Sequence, residues 1–277
     1  MIKEKKPTAE QELKSLEIKT IKVGDNEVSV CPERGGIITS IKFGDTEILY
    51  LNEDNFNDTK SNVRGGIPIL FPNAGPITNA DSEFSKLKQH GFARISDKWI
   101  FEKTENGFIE TLTSNEETLE AYPFNFKLSV IGNFEKDGSF TLTQKVKNED
   151  NQEIPVSFGL HPYFNVPADQ KDKIEFNFLG GDIIKNETEN WSHDGTTSID
   201  NPKLADQSAN LNVNIPLLGE LIITPSSEYQ KIWVWSMLDK NFICIEPAMR
   251  NPNGLVDDPE IIEPDKTFSA SVNFKLK

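Results

Sequence analysis

The chain contains few of the residues that bind transition metals or form disulfides, with two cysteines and three histidines among 277 residues. Cys31 and Cys244 lie far apart in no Cys-x-x-Cys spacing, and no two histidines stand at ligand spacing. The sequence therefore predicts neither a metal site nor a cofactor. Two thiols in a reduced protein are the simplest interpretation, and a disulfide between them stays open as the alternative.

Basic residues are also in short supply, with 29 Lys and Arg against 44 Asp and Glu, a net charge of −15. Nucleic acids and anionic membrane surfaces are bound by clustered Lys and Arg, so this balance argues against both as partners. No apolar run approaches the roughly 20 residues that span a bilayer. The first ten residues lack the apolar stretch of a secretory signal. The sequence predicts a soluble cytoplasmic protein.

Long amphipathic helices are missing as well, the segment Glu10–Leu16 being the one candidate. From Leu13 onward apolar residues alternate with polar ones in short runs separated by Gly, Asp and Asn, which is typical of strands joined by tight turns. The turn Glu135–Gly138, for example, separates two alternating runs and predicts a hairpin. Many short strands without a linker predict one all-β sandwich domain over residues 1–277, with 1–12 as a loose tail.

Two segments depart from this alternation. Residues 52–97 are rich in Gly, Pro, Asn and Asp, and apolar residues are embedded among them. A long irregular segment inside a domain is usually disordered or functional, and the embedded apolar residues favour an ordered, functional loop. Residues 185–211 are polar and aperiodic, and we expect no regular structure there.

Two residues have the surroundings of an acid–base pair. His161 lies in the aromatic stretch Phe158–Phe164, and Glu246 follows the apolar run Phe242–Ile245 and precedes Pro247. A poorly solvated carboxylate has a raised pKa, and histidine titrates near neutral pH, so both types suit general acid–base catalysis. Taken alone, each also fits a structural role, as a satisfied core histidine or a surface glutamate at a strand end.

Three further residues are candidates for binding. Arg64 opens a Gly-Gly loop that ends in prolines, and His90 and Arg94 share the motif His-Gly-Phe-Ala-Arg. Each residue also has a structural interpretation. His90 would be a loop histidine that caps backbone groups, and Arg64 and Arg94 would lie in solvent or form structural ion pairs. His193 is interpreted as a surface loop residue. Four aromatic residues occur near these candidates or in the later strands: Tyr163, Phe164, Trp233 and Trp235. Such residues more often belong to the core than to a ligand site, although their faces would also suit the C–H faces of a sugar ring.

Four motifs occur in an order that resembles the aldose 1-epimerase (galactose mutarotase-like) family. They are Arg64–Pro68, His90–Arg94, Gly159–Phe164 and Ile245–Pro247, and the resemblance extends from about Val28 to Leu276. It implies an all-β supersandwich of antiparallel sheets with a sugar-binding cleft. It also implies a metal-free reaction that interconverts the α and β anomers of an aldohexose.

The resemblance assigns roles residue by residue. Glu246 would be the base and His161 the acid, His90 would hydrogen-bond oxygens at the reacting centre, and Arg64 would bind sugar hydroxyls. The wording of the first two motifs is closest to the hexose-6-phosphate mutarotase branch, in which arginines bind the phosphate. A patch of Arg64, Lys88 and Arg94 would suit that role, because guanidinium groups bind phosphate in a bidentate manner.

Several alternatives stay open. The resemblance implies a further substrate-binding carboxylate, for which Asp182, Asp194 and Asp200 are candidates. The substrate would be a free hexose or glucose 6-phosphate. A non-catalytic carbohydrate-binding module on the same fold is a different class of function. A glycoside hydrolase normally needs two carboxylates, and only Glu246 has a convincing setting.

Overall fold

The computed structural model describes residues 16–79 and 81–277. The predicted tail at 1–12 lies outside the described residues, and so does nearly all of the helix candidate Glu10–Leu16. In the part that is described, antiparallel β-structure dominates, as the alternating pattern predicts. No helix among these residues is long and apolar enough to cross a membrane.

The first half of the chain forms nine strands, which are β1 (Lys19–Val23), β2 (Asn26–Cys31), β3 (Ile37–Phe43), β4 (Thr46–Glu47), β5 (Ile69–Leu70), β6 (Ile100–Lys103), β7 (Gly107–Thr113), β8 (Phe126–Phe134) and β9 (Phe140–Asn148) among the described residues. The later described strands are β10 (Ile154–Val156), β11 (Gly159–Leu160), β12 (Tyr163–Asn165), β13 (Glu175–Phe176), β14 (Asp194–Asp200), β15 (Leu211–Ile215), β16 (Gly219–Pro225), β17 (Lys231–Met237), β18 (Phe242–Ala248), β19 (Glu260–Ile262) and β20 (Thr267–Leu276). The helices are short: α1 (Glu53–Asn57), α2 (Glu116–Leu119), α3 (Gly181–Glu189) and α4 (Gly254–Asp257), with 3-10 turns at Pro32–Arg34, Ala93–Ile95, Ala168–Lys173 and Pro202–Leu204.

The strands form two large sheets and two small ones. The eight-stranded sheet has the order β13-β15-β16-β20-β9-β8-β7-β6, and the six-stranded sheet has the order β14-β17-β18-β11-β5, with β12 also paired to β18. Strands β1 to β4 form a four-stranded meander, and β10 pairs with β19. The predicted hairpin is present, because β8 and β9 pair in register from Phe126↔Asn148 to Phe134↔Phe140.

The core results from period-two burial. Along β8 the side chains of Phe126, Leu128 and Val130 are buried, while those between them are more exposed. A single hydrophobic cluster includes residues of both large sheets and the meander. Burial of one such large side chain stabilises the fold by about 1.5–3 kcal/mol. The all-β sandwich prediction is confirmed.

One expectation is wrong. Residues 185–211 contain most of α3 and the whole of β14, which pairs with β17 over all seven of its residues. The strand lies at the edge of its sheet, and Ile199 is its one buried residue. Helix α3 buries only Gly181 and Ile184. Neither element carries enough apolar residues to show its period in the sequence.

The described residues of the loop segment 52–97 follow a defined course, as expected, and they reach the six-stranded sheet through β5. Its glycines permit close backbone approach. Gly66 has φ +61°, and a Cβ there would lie 2.3 Å from the carbonyl oxygen of Ile38. Gly91 has φ +67°, and a Cβ there would lie 2.0 Å from the carbonyl oxygen of Phe71. Only glycine fits such positions, and they fix the course of the loop beside the sheet.

Both cysteines are free and buried, so the alternative of a disulfide between Cys31 and Cys244 is not realised.

Candidate active site

A cavity of about 490 Å³ lies over the six-stranded sheet. Its volume is in the range that holds a small-molecule ligand, about 300–1,000 Å³. The structure brings all five predicted site residues to its wall, although they are dispersed along the sequence; they are Arg64, His90, Arg94, His161 and Glu246.

Glu246 lies within β18, a strand whose seven residues are all buried. The sequence indicated a position just after the strand, but the strand continues to Ala248. Ile243 and Ile245 pack into the main core, and because side chains alternate, Glu246 is on the opposite face, towards the cavity. The residue is 3% exposed. Burial penalises the charged form and raises the pKa of Glu246 to about 8.

His161 lies in the short connection between β11 and β12. Its imidazole stacks on the ring of Tyr163 at 4.7 Å and meets Trp235 edge-on at 5.9 Å. Its Nε2 lies 3.4 Å from Oε1 of Glu246. Burial lowers the pKa of His161 well below its ordinary value. Since burial favours the neutral form of both groups, the resting pair holds one proton, on the carboxyl side.

His90 presents an unprotonated ring nitrogen to the cavity. Its Nδ1 lies in hydrogen-bond contact with the carbonyl oxygen of Ala74, which can only accept, so Nδ1 carries the hydrogen and Nε2 is an acceptor. Burial and the charge of Arg94 lower the pKa of His90 to about 4, so this tautomer persists at neutral pH. Its backbone has φ +70°, which is a strained conformation for a non-glycine residue.

The two arginines of the cavity differ in exposure. Arg64 is exposed, whereas Arg94 is half-buried and donates from Nη2 to the carbonyl oxygen of Gln89 at 3.2 Å. The Nε of Arg94 is buried without a hydrogen-bond partner. Neither arginine forms a salt bridge with a carboxylate of the described residues. Lys88, the third member of the predicted patch, is exposed and does not line the cavity.

None of the three aspartates suggested for a further carboxylate lines the cavity. Asp182 is in α3, Asp194 and Asp200 are at the two ends of β14, and Asp200 pairs with Lys231. Glu246 is the one acidic residue among the described residues of the wall. The neutral polar groups that occupy the wall instead are Asn62, Gln89, Thr196 and Ser198.

No role was predicted from the sequence for the neutral polar residues of the wall. Thr196 and Ser198 belong to β14, and their spacing of two was the available signal. Trp233 and Trp235, for which the sequence favoured a core role over a ligand platform, both line the cavity. The indole Nε1 of Trp233 is buried without a partner. Tyr163 also lines the wall, whereas Phe164 is a core residue, and His193 is exposed, as expected.

A third potential ligand group lies beside the pair. Cys244 is two residues before Glu246 on the same face of β18, and one ligand atom from each of Cys244, Glu246 and His161 lies within 4.8 Å of the others. Sequence spacing gave no sign of this cluster, because its members come from two distant segments.

Comparison with solved structures shows which known proteins share this fold. The Slr1438 protein of Synechocystis sp. PCC 6803 is 25% identical, and its structure superposes with a TM-score of 0.81 over 98% of this chain and 99% of that one. The galactose mutarotase related enzyme of Lactobacillus acidophilus has the same fold, with a TM-score of 0.71 at 21% identity over 94% and 97% of the two chains.

Curated proteins with similar sequences are also found. A protein of Escherichia coli named "Putative glucose-6-phosphate 1-epimerase" is 26% identical over 231 residues, which is 74% of each chain. The chain spans about half the length of other curated relatives that it matches.

The fold and site define a galactose mutarotase-like β-sandwich protein with a buried imidazole–carboxyl pair in a cavity of ligand size. Residues 18–211 match the sequence profile described as aldose 1-epimerase. The chain therefore belongs to the aldose 1-epimerase family, and the resemblance indicated by its motifs is confirmed.

Proposed function

We propose that the protein is an aldose 1-epimerase that interconverts the α and β anomers of an aldohexose. The observation that carries this proposal is the contact of 3.4 Å between His161 Nε2 and Glu246 Oε1 on the wall of a cavity of about 490 Å³. A pure binding module does not need a proton-transfer pair in such a place.

The side-by-side arrangement suits the reaction. The anomeric hydroxyl and the ring oxygen of a pyranose are bonded to the same carbon, so an acid and a base that serve both must be neighbours. The carboxylate of Glu246 takes the hydroxyl proton, and the imidazolium of His161 gives a proton to the ring oxygen. The bond between the anomeric carbon and the ring oxygen breaks, and an open-chain aldehyde forms.

Rotation about the bond next to the aldehyde presents its other face, and closure reverses both proton transfers. The chain then holds the same number of protons as at the start. The working form differs from the resting pair only by transfer of the shared proton from Glu246 to His161. Acid–base catalysis of this type contributes about 10²–10⁴-fold per group, and positioning of the sugar adds to it.

The other wall residues bind the sugar. His90 accepts a hydrogen bond from a hydroxyl through Nε2. The faces of Trp233, Trp235 and Tyr163 pack against the C–H groups of the ring. Arg64 donates to hydroxyl oxygens.

Exchange NMR or polarimetry on glucose, galactose and glucose 6-phosphate tests the proposal. We expect Glu246→Gln and His161→Gln each to reduce kcat/KM by about 100-fold or more.

Glu110→Gln is a matched control. Glu110 is as deeply buried as Glu246 and also has a pKa raised to about 8, but it does not line the cavity, so its kcat/KM should not change. Activity that survives both Glu246→Gln and His161→Gln would end the proposal. Saturable sugar binding without faster anomer exchange would instead favour the binding module.

A second candidate function is the same reaction on glucose 6-phosphate. Two observations favour it: Arg64 and Arg94 line the cavity without a described acidic partner, and the relative from Escherichia coli carries that activity in its name. Charge-assisted hydrogen bonds of this kind contribute about 1.5–3 kcal/mol. Arg64→Gln and Arg94→Gln should therefore raise KM by about tenfold or more for glucose 6-phosphate and much less for glucose. Equal effects on both sugars would contradict phosphate binding.

A further inference from the structure

We propose that His161, Cys244 and Glu246 form a binding site for a zinc-class divalent cation at the wall of the cavity, where His161 and Glu246 line it and Cys244 lies behind them. Occupancy of this site would block the acid–base pair. The first part of the proposal depends only on the geometry of these three residues, and the second part rests on the proposed function.

The three side chains converge from two segments. Strand β18 places Cys244 and Glu246 on one face, and the connection between β11 and β12 brings His161 above them. One ligand atom from each residue lies within 4.8 Å of the other two. All three residues are buried, with exposed fractions of 0% for Cys244, 3% for Glu246 and 7% for His161. The backbone of a central strand holds two of the ligands rigidly.

The ligand set selects the class of ion. A thiolate, an imidazole and a carboxylate suit zinc and its neighbours in the first transition row, whereas Mg²⁺ and Ca²⁺ prefer oxygen ligands alone. Tetrahedral coordination with zinc bond lengths separates ligand atoms by roughly 3.3–3.6 Å. The observed distance of 3.4 Å between His161 Nε2 and Glu246 Oε1 matches that edge. Since the ligand atoms lie within 4.8 Å of one another, the sulfur needs a shift of at most roughly 1.2–1.5 Å to complete the triangle.

The cavity supplies what the three ligands lack. His161 and Glu246 both line it, so an ion can enter from there, and a water molecule can take the fourth position. The Nδ1 of His161 is buried without a hydrogen-bond partner, and its Nε2 faces Oε1 of Glu246, so Nε2 is the nitrogen that would bind the ion.

The charges balance on binding. Coordination needs a thiolate, a neutral imidazole and a carboxylate, so any proton on a ligand atom leaves to solvent on binding. The two negative ligands then neutralise the doubly charged ion. The occupied buried site is therefore uncharged and avoids the cost of an unpaired buried charge.

Cys31 offers a matched comparison. It is also free and buried, but it packs against Ile37 and Phe56 and belongs to no group of three potential ligands in the described part of the chain. Metal binding through a thiolate should therefore depend on Cys244 and be independent of Cys31.

Titration of the tag-free, chelator-treated protein with Co²⁺ tests the site. We expect one ion per chain and a thiolate-to-cobalt charge-transfer band in the near ultraviolet. Cys244→Ser should abolish the band, Cys31→Ser should keep it, and Glu246→Gln should weaken Co²⁺ binding by about tenfold or more. No band in the wild type, a band that survives Cys244→Ser, or one lost in Cys31→Ser would overturn the proposal.

A measurement on the unmodified chain guards against a variant that fails to fold. Paramagnetic Co²⁺ should broaden or shift the imidazole NMR signals of His161 and of His90, whose rings lie 5.4 Å apart, and leave exposed His193 unaffected. Selective broadening of His193 would overturn the site.

The blocking role is tested separately by an activity assay. Zn²⁺ should inhibit anomer exchange, and a chelator should restore the exchange rate. Failure to inhibit despite a cobalt band would remove the blocking role. If the protein shows no exchange activity at all, the band and the NMR signals still decide whether the metal site exists.

Discussion

At the scale of single residues, the behaviour of the site follows from one proton shared by His161 and Glu246. Burial lowers the pKa of His161 and raises that of Glu246 to about 8. The pair therefore binds its single proton over a broad range of pH. It loses that proton only as the pH rises through about 8, and it gains a second one only well below the ordinary pKa of histidine.

The protonation state of the pair determines how the rate of anomer exchange depends on pH. We expect kcat/KM for anomer exchange to be flat near neutral pH and to fall above about pH 8, by about tenfold per pH unit, because the deprotonated pair has no acid for the ring oxygen. Exchange NMR between about pH 5 and about pH 10 measures the profile. A rate that keeps rising above pH 8 would show that a deprotonated Glu246 suffices and that His161 is not the acid.

Glu110 is a buried carboxyl that does not line the cavity. It lies on β7 at 0% exposure, and neither of its carboxyl oxygens has a hydrogen-bond partner. Desolvation raises its pKa to about 8. Since the unfolded chain ionises this group near its ordinary pKa, the folded state binds the proton more tightly. Stability is highest below that ordinary value and decreases until the pH reaches about 8.

We expect the wild type to lose about 3 kcal/mol of unfolding free energy to Glu110 between about pH 4.5 and about pH 7. Glu110→Gln removes the ionisable group, so its unfolding free energy should vary less with pH and exceed that of the wild type at pH 8. Urea denaturation at several pH values measures both chains. Parallel pH profiles for the two proteins would contradict the assignment.

At the scale of elements, Arg34 joins the N-terminal sheet region to the loop that carries Arg64. Its guanidinium is buried, and it donates to four backbone carbonyls, those of Asn55, Phe56, Asp58 and Ser61. The loop closes where the N–H of Asn52 donates to the carbonyl oxygen of Arg64 at 2.9 Å. Arg34 is therefore a positioning residue for this side of the cavity.

Arg34→Met should release residues 53–64. We expect a loss of roughly 3 kcal/mol in stability, faster amide hydrogen exchange in that loop, and a KM raised by about fivefold to tenfold with kcat within about twofold. Asn148→Ala is the control. It removes two side-chain hydrogen bonds to the carbonyls of Gln152 and Ile262, in β-structure away from the cavity, and should leave KM unchanged. A kcat loss in Arg34→Met equal to its KM effect would argue against a positioning role.

The sequence predicted those elements whose apolar content reveals their period. Strands β17 and β18 are rich in buried apolar residues, and the setting of Glu246 followed from them. Strand β14 lies at the edge of its sheet, and its residues Thr196 and Ser198 line the cavity. Because nearly all residues of this strand are polar, the sequence shows no apolar alternation that would predict it. Trp233 and Trp235 were assigned to a strand correctly, but the sequence does not tell which face of the sheet the loops leave open.

At the scale of the whole molecule, the site depends on long-range convergence. Arg64 and His90 come from the irregular segment 52–97, whereas His161 and Glu246 come from two strand regions of the six-stranded sheet. Motif order indicated that these residues belong together, but the distances between them depend on sheet order, which local patterns do not contain. The same limit explains why Cys244 was not recognised as a neighbour of His161.

One hydrophobic cluster unites residues of the two large sheets and the meander, which supports the proposal that the chain folds as a single domain. Thermal unfolding should then be one cooperative transition, with coincident curves from tryptophan fluorescence and from far-ultraviolet circular dichroism. Trp233 and Trp235 at the cavity contribute to the fluorescence together with Trp99 and Trp191. A bound sugar should raise both midpoints equally, because it stabilises the folded state by RT ln(1 + [L]/Kd). The sugar should have no effect on the midpoint of Glu246→Gln if the carboxylate is needed for binding, and the wild-type shift if Glu246 acts only in proton transfer. Two separate transitions, with sugar shifting only the fluorescence, would instead mean that the six-stranded sheet and its cavity unfold independently of the rest.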